Sequence, residues 1–227
     1  MESITIAYRF DFPDGSFEQY RVKLDGKTNL VPKKIENPPS WTQLDVAQCE
    51  HCPLKPEESP YCPIAFNLSD IIERFKDFDS VMETKITVEA HERVYIMEAS
   101  LQEGLFSLFG IIMATAGCPS MNVLKPIARY HLPLQSEEEI IIRGISFYLL
   151  RQYFEIKKGR EPDLGLEKLA GHYSDIKKVN EGMAKRLQEI RKSGDANQNA
   201  IVLLDAFSLL LGQAITQQLD EFEELFD

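Results

Sequence analysis

The sequence predicts an α+β protein: an N-terminal antiparallel sheet of about four strands, followed by a C-terminal bundle of about five helices. Two patterns carry the prediction. Before residue 101, apolar and polar residues alternate in short runs punctuated by turn residues. Beyond it the apolar residues recur at helical spacings. A third observation ties the halves together. The four cysteines, Cys49, Cys52, Cys62 and Cys118, straddle the boundary, and three of them precede proline (Pro53, Pro63 and Pro119).

Ile4 to Phe10 alternates as a strand, Pro13-Asp14-Gly15-Ser16 is a turn, and Phe17 to Leu24 resumes the alternation, which gives a hairpin. Pro32, Pro38 and Pro39 mark an extended connection to Trp41, the sole tryptophan, read as a core anchor. Residues 49–62 form a loop rich in Pro and Glu. Ile64 to Phe78 follows as an amphipathic helix, with Ile64, Leu68, Ile71, Ile72 and Phe75 on one face. Val81, Ile86 and Val88, then Val94, Ile96 and Ala99, form a second hairpin that breaks at Ala90-His91-Glu92.

Leu101 to Ala116 is apolar nearly all round, the mark of a central buried helix, and Gly117 fits its C-terminal cap. Met121 to about Tyr130 is a shorter helix that Pro126 should kink or shorten. Ser136 and Glu139 form a capping box ahead of a helix through Ile140 to Tyr153, which Gly159 and Pro162 end. Leu166 to Ile190 and Ile201 to Phe222 read as a helical hairpin turning at Gly194 to Asn197. Asn180 interrupts its apolar stripe, a position where an Asn would set register in a coiled coil. An intramolecular pair is the simpler reading, and a homodimer through residues 166–190 is the alternative. The acidic end, Asp220 to Asp227, reads as a solvated helix terminus. The division is thus 1–100, β-rich with the cysteine loop and one helix, and 101–227, helical, forming one compact unit joined at the cysteines.

Composition narrows the function. With 44% hydrophobic and 27% charged residues the chain is an ordinary globular protein long enough to bury a core without staples. A net charge of -11 argues against nucleic acid and against anionic membranes. The apolar runs Leu105 to Cys118, Ile140 to Leu150 and Ala200 to Thr216 fall short of the ~18 residues of a span, and Asp205 interrupts the last. The start has neither basic nor long apolar signal character, so the expected location is the cytoplasm. In that reducing setting Cys-x-x-Cys points to a metal or redox centre rather than a structural disulfide.

The Cys-Pro pairs sharpen this. Proline suits the first helical position, so Cys62 and Cys118 should be N-caps, where free N–H groups and the helix dipole stabilise a thiolate. Two such caps and the Cys49/Cys52 turn supply four thiolates, a tetrahedral zinc set. The alternatives, weighed alike, are a [4Fe–4S] cluster, a Cys49/Cys52 redox dithiol, and cysteines that only pack. His51 could replace one sulfur. Lys125, Arg129 and His131 form a local basic cluster after Cys118, read as surface basicity or as an anion or metal-neutralising patch. Arg143 and Asp205 each interrupt an apolar run and are expected to pair.

Dinucleotide, phosphate-loop, nucleophile-elbow and zinc-protease signatures are absent from the sequence. Four cysteines would close a zinc shell that catalysis needs open. The expected function is therefore a non-catalytic, zinc-binding interaction or regulatory protein with an unidentified protein partner. An iron–sulfur or thiol redox sensor is second, and an enzyme using Cys118 with Lys125, Arg129 and His131 is third.

The motifs Cys49-Glu50-His51-Cys52-Pro53-Leu54, Cys62-Pro63-Ile64-Ala65, Gly117-Cys118-Pro119 and Arg129-Tyr130-His131-Leu132-Pro133-Leu134 together resemble a family of uncharacterised bacterial proteins, a domain of unknown function. The resemblance runs over most of the chain. It implies a bacterial cytosolic protein and supplies no mechanism.

Overall fold

The computed structural model describes residues 1–32, 34–190, 194–216 and 219–225. Strands β1 (Ile4–Asp11), β2 (Phe17–Leu24), β3 (Glu83–Ala90) and β4 (Arg93–Ser100) form one antiparallel sheet in the order β2-β1-β3-β4. Helix α1 (Pro63–Phe75) lies between the hairpins. The helical half comprises α2 (Leu101–Thr115), α3 (Lys125–Arg129), α4 (Glu137–Lys157), α5 (Glu167–Glu189) and α6 (Ala196–Thr216). The fold is α+β, as its patterns predict.

The register sets the core face. Ile6, Tyr8 and Phe10 of β1 are fully buried, and they align with Val22, Tyr20, Ile86 and Val88 across the ladders. Helix α2 lies over this face. Its Gly104 lets it approach so closely that a Cβ there would stand 2.6 Å from both Phe10 Cε1 and Ile86 Cδ1. The opposite side of α2 packs on α6, so this helix is buried between two layers. One hydrophobic cluster runs from the sheet through α1 and α2 into the bundle.

Several local expectations change. The β3–β4 hairpin pairs Ile86 with Met97 and Val88 with Tyr95. This register turns Tyr95, Met97 and Ala99 towards the core side and leaves Val94 and Ile96 about 60% exposed on the outer face, the reverse of their expected direction. Pro126 shortens its helix to Lys125–Arg129 rather than kinking it. A 3-10 segment, Pro119–Leu124, precedes it, and the proline stands in the first turn of α3, where its missing N–H costs nothing. Ser100 and Glu103 form a capping box for α2 that the strand pattern hides in the sequence.

The helical hairpin forms within one chain: Asn180 of α5 is buried and its Nδ2 donates to Ser208 Oγ of α6 at 3.0 Å. Helix α6 starts at Ala196, so its Ala196–Ile215 stretch has the length and apolarity to cross a membrane by composition alone; here it packs on α2, α4 and α5. The chain's acidic end forms a 3-10 segment, Asp220–Leu225, with Phe222 turned into the core, while residues 226 and 227 lie outside the described residues.

Candidate metal centre

Three separate segments deliver the cysteines to one place. The Cys49–Cys52 turn is closed by Cys52 N–H donating to Cys49 O at 3.0 Å. Its base is held by the Gln43–Tyr61 bridge and by Cys62 N–H donating to Thr42 O at 2.8 Å. Cys62 is the N-cap of α1 with Pro63 in the first turn, and Cys118 is the N-cap of the Pro119–Leu124 segment. All four line one small cavity with Ser120 and, from α5, Gly182, Met183 and Arg186. Its volume of about 20 Å³ accommodates roughly one water-sized sphere.

Proximity also shows in the electrostatics. Burial pushes the Cys49 thiol up to about 11, with further upward pressure from Cys62 and Cys52 and relief from Arg186. Burial pushes Cys118 up to about 11 as well; the N–H groups of Ser120 and Met121 act in the opposite direction, and Cys62 and Cys49 add to the rise. Desolvation therefore outweighs the helix-end stabilisation expected of Cys118, because an uncompensated thiolate in that setting lacks a cation. Among the described residues no three His, Cys, Asp or Glu side chains stand in a tight ligand cluster. The four thiols surround the cavity without converging on a point. All four are free thiols, none joined in a disulfide.

Arg186 is the residue the sequence pattern missed. It is 2% exposed, and its guanidinium donates to three carbonyls of the segment that leads into the cysteine turn: Trp41 and Gln43 at 2.7 Å and Leu44 at 3.0 Å. Among the described residues it has no carboxylate partner. A signal existed, since position 186 falls seven residues after Val179 and three after Met183, on the buried stripe of α5. Gly182 is its neighbour in function: a Cβ there would stand 2.9 Å from Cys49 Sγ. His51 also lines the cavity, and both of its ring nitrogens are buried without a hydrogen-bond partner. Trp41 is buried in the core as expected.

These residues fit a single metal ion. They offer four soft donors, with an unpartnered imidazole in reserve. A buried guanidinium stands where a tetrathiolate would carry excess negative charge.

The basic residues after Cys118 take three different partners. Lys125 Nζ donates to Asn29 Oδ1 at 2.8 Å. The Arg129 carbonyl bonds His91 Nε2, while its Nη1 is buried without a partner. His131 turns inward, with Nε2 against the Tyr8 hydroxyl, which in turn meets Ser107 Oγ at 2.8 Å. Arg143 and Asp205 do not pair. Arg143 Nη2 donates to Tyr130 O, and Asp205 Oδ1 is buried without a partner, its carboxyl raised by that burial. They stand on different helices, α4 and α6, and the local backbone meets Arg143 first.

His131 has a measurable consequence. Burial, helped by Arg143 and His91, pulls its imidazole from the ordinary 6.5 down to about 3. The unfolded chain thus binds a proton that the folded chain refuses. Its stabilising contribution is complete above pH 6.5 and falls as pH drops from there towards 3, by about 1.4 kcal/mol per pH unit. His131→Gln should remove that slope between about pH 6 and 4 in urea titrations; a variant as acid-sensitive as the parent would show that His131 does not carry it.

No curated protein and no solved structure matches the chain. A family model described as "Domain of unknown function (DUF6901)" matches residues 6–227.

Proposed function

This chain belongs to the DUF6901 family, and we propose that it is a metal-binding, non-catalytic interaction or regulatory protein built around one zinc ion. The observation that supports this best is the meeting of Cys49, Cys52 and Cys62, from one loop, with Cys118, 56 residues further on, at one cavity. Buried thiols that only pack have no reason to meet there, and four soft donors suit a single zinc ion. Cys49, Cys52, Cys62 and Cys118 are the proposed ligands. When bound, zinc would hold them as thiolates and clamp the cysteine turn and the start of α1 to the Pro119–Leu124 segment of the helical half. Arg186 holds the turn's approach and offsets the negative charge.

A regulatory rather than enzymatic role is supported by the closed ligand set and by the dispersal of Lys125, Arg129 and His131 to separate partners. An interaction role is supported by exposed apolar residues on α4, Leu150, Tyr153, Phe154 and Ile156. A bacterial cytosol, the setting proposed here, keeps such thiols reduced. The second reading, a thiol redox device, rests on the Cys49–Cys52 turn alone.

Metal and acid-labile sulfide analysis of protein purified without oxygen tests the proposal. The expected result is one zinc per chain without visible absorption, falling to near zero in Cys118→Ser with a lower unfolding midpoint. Iron with sulfide would replace zinc by a cluster. Metal-free parent protein that takes up no added zinc, with a reversible Cys49–Cys52 disulfide, would leave the redox reading standing instead.

A further inference from the structure

We propose that the helical half contains a second site, independent of the metal, which takes a neutral benzene-sized ring carrying one hydrogen-bond donor, a phenol-class molecule, with Asn180 Oδ1 as its acceptor. The cavity lies among α2, α3, α4, α5 and α6 and has a volume of about 150 Å³. A dry apolar cavity of about that size holds one benzene ring. Its wall is mainly apolar, with Phe106, Ile111, Leu132, Phe207 and Leu211 among the contributors.

The polar groups decide what kind of ring it is. Asn180, 2% exposed, lines the cavity, and its amide orientation is determined. Ser208 Oγ donates to Leu204 O at 2.8 Å, so towards Asn180 it can only accept, and Nδ2 is the group that donates to it. Oδ1 is left buried with no partner. Gln135 Oε1, on the same wall, is a second buried acceptor without a partner. The hydroxyl of Ser107 does not serve them, since it is engaged by Tyr8 and by the Leu134 N–H. A buried carbonyl without a donor costs free energy, and an incoming O–H or N–H recovers it.

Arg143 also lines the cavity, and its Nε lacks a partner. A carboxylate is therefore the competing ligand class. Arg143 Nε is buried as well, but the same wall carries two unpartnered acceptors, Asn180 Oδ1 and Gln135 Oε1, which an O–H or N–H donor satisfies and a carboxylate cannot.

Titration of the full, metal-loaded chain with phenol, benzene and benzoate, followed by nuclear magnetic resonance, tests this. Phenol should bind saturably at one site about tenfold more tightly than benzene. It should shift the Asn180 side-chain amide signals, which benzene should leave in place. In Asn180→Leu the two ligands should bind about equally. Equal affinities in the parent protein would reduce the site to a non-selective apolar void. Tightest binding of benzoate would transfer recognition to Arg143 and overturn the assignment. So would no saturable binding of any of the three. The parent-protein amide shifts remain decisive even where Asn180→Leu fails to fold, and no outcome depends on the identity of the metal.

Discussion

Arg186→Met is expected to destabilise the protein by about 3–5 kcal/mol, because buried main-chain carbonyls left without a donor cost about 1–3 kcal/mol each. The guanidinium makes three hydrogen bonds to main-chain carbonyls, and methionine leaves Trp41 O, Gln43 O and Leu44 O without it. Such bonds to a charged donor contribute about 1.5–3 kcal/mol each, less the cost of burying the charge. Because Arg186 is 2% exposed, water cannot take over without opening α5 from the 41–44 segment. Arg186→Lys keeps the charge but loses the fork, so it should fall between parent and methionine variant. Urea unfolding of all three proteins, with and without metal, reads the effect. A methionine variant within about 1 kcal/mol of the parent would show that the three bonds are not what holds the segment. The same change should weaken zinc binding, since the segment sets the approach of Cys49 and the charge opposes thiolate repulsion.

Gly104→Leu should cost about 3 kcal/mol or more, at the upper end for overpacking a well-filled core. The position of its first carbon is already taken, 2.6 Å from Phe10 Cε1 and from Ile86 Cδ1. Ile86 can yield through its flexible end. Phe10 cannot, because its ring is fully buried and meets Phe75 edge-on at 5.3 Å. Helix α2 must lift from the sheet to admit a side chain. Gly110, six residues along the same helix, makes the contrast. A Cβ there finds only Leu204 Cδ2, at 3.6 Å, an ordinary contact. Gly110→Ala should therefore stabilise the chain by up to about 1 kcal/mol through helix propensity. Thermal unfolding of the two variants should move in opposite directions; a Gly104→Leu protein as stable as the parent would mean that α2 does not bear on the sheet at Gly104.

Much of the site is legible in the order of residues because its signals are local. Cys-Pro at a helix start is a statement about one turn of backbone, and Cys62 and Cys118 are N-caps as their prolines imply. The Ser136–Glu139 capping box is equally local, and α4 begins where it predicts. Alternation and helical spacing are likewise short-range, so the sheet, the buried α2 and the hairpin of α5 and α6 follow from the amino-acid sequence.

What the tertiary structure alone decided is where distant residues meet. Whether Val94 or Tyr95 faces the core depends on the register against β3, and one residue of slip exchanges the faces. Arg143 and Asp205 looked like partners because each is a charge in an apolar run, yet nearer backbone satisfies one and burial leaves the other alone. Arg186 looked like a helix charge until α5 packed against the 41–44 carbonyls, 142 to 145 residues away in sequence. The thiols of Cys49 and Cys118 looked poised as anions, and burial raised them instead. Sequence determines which groups are present and how each turn of backbone begins and ends. Desolvation and packing depend on every chain segment that surrounds a group, and those become known only when the whole chain is folded.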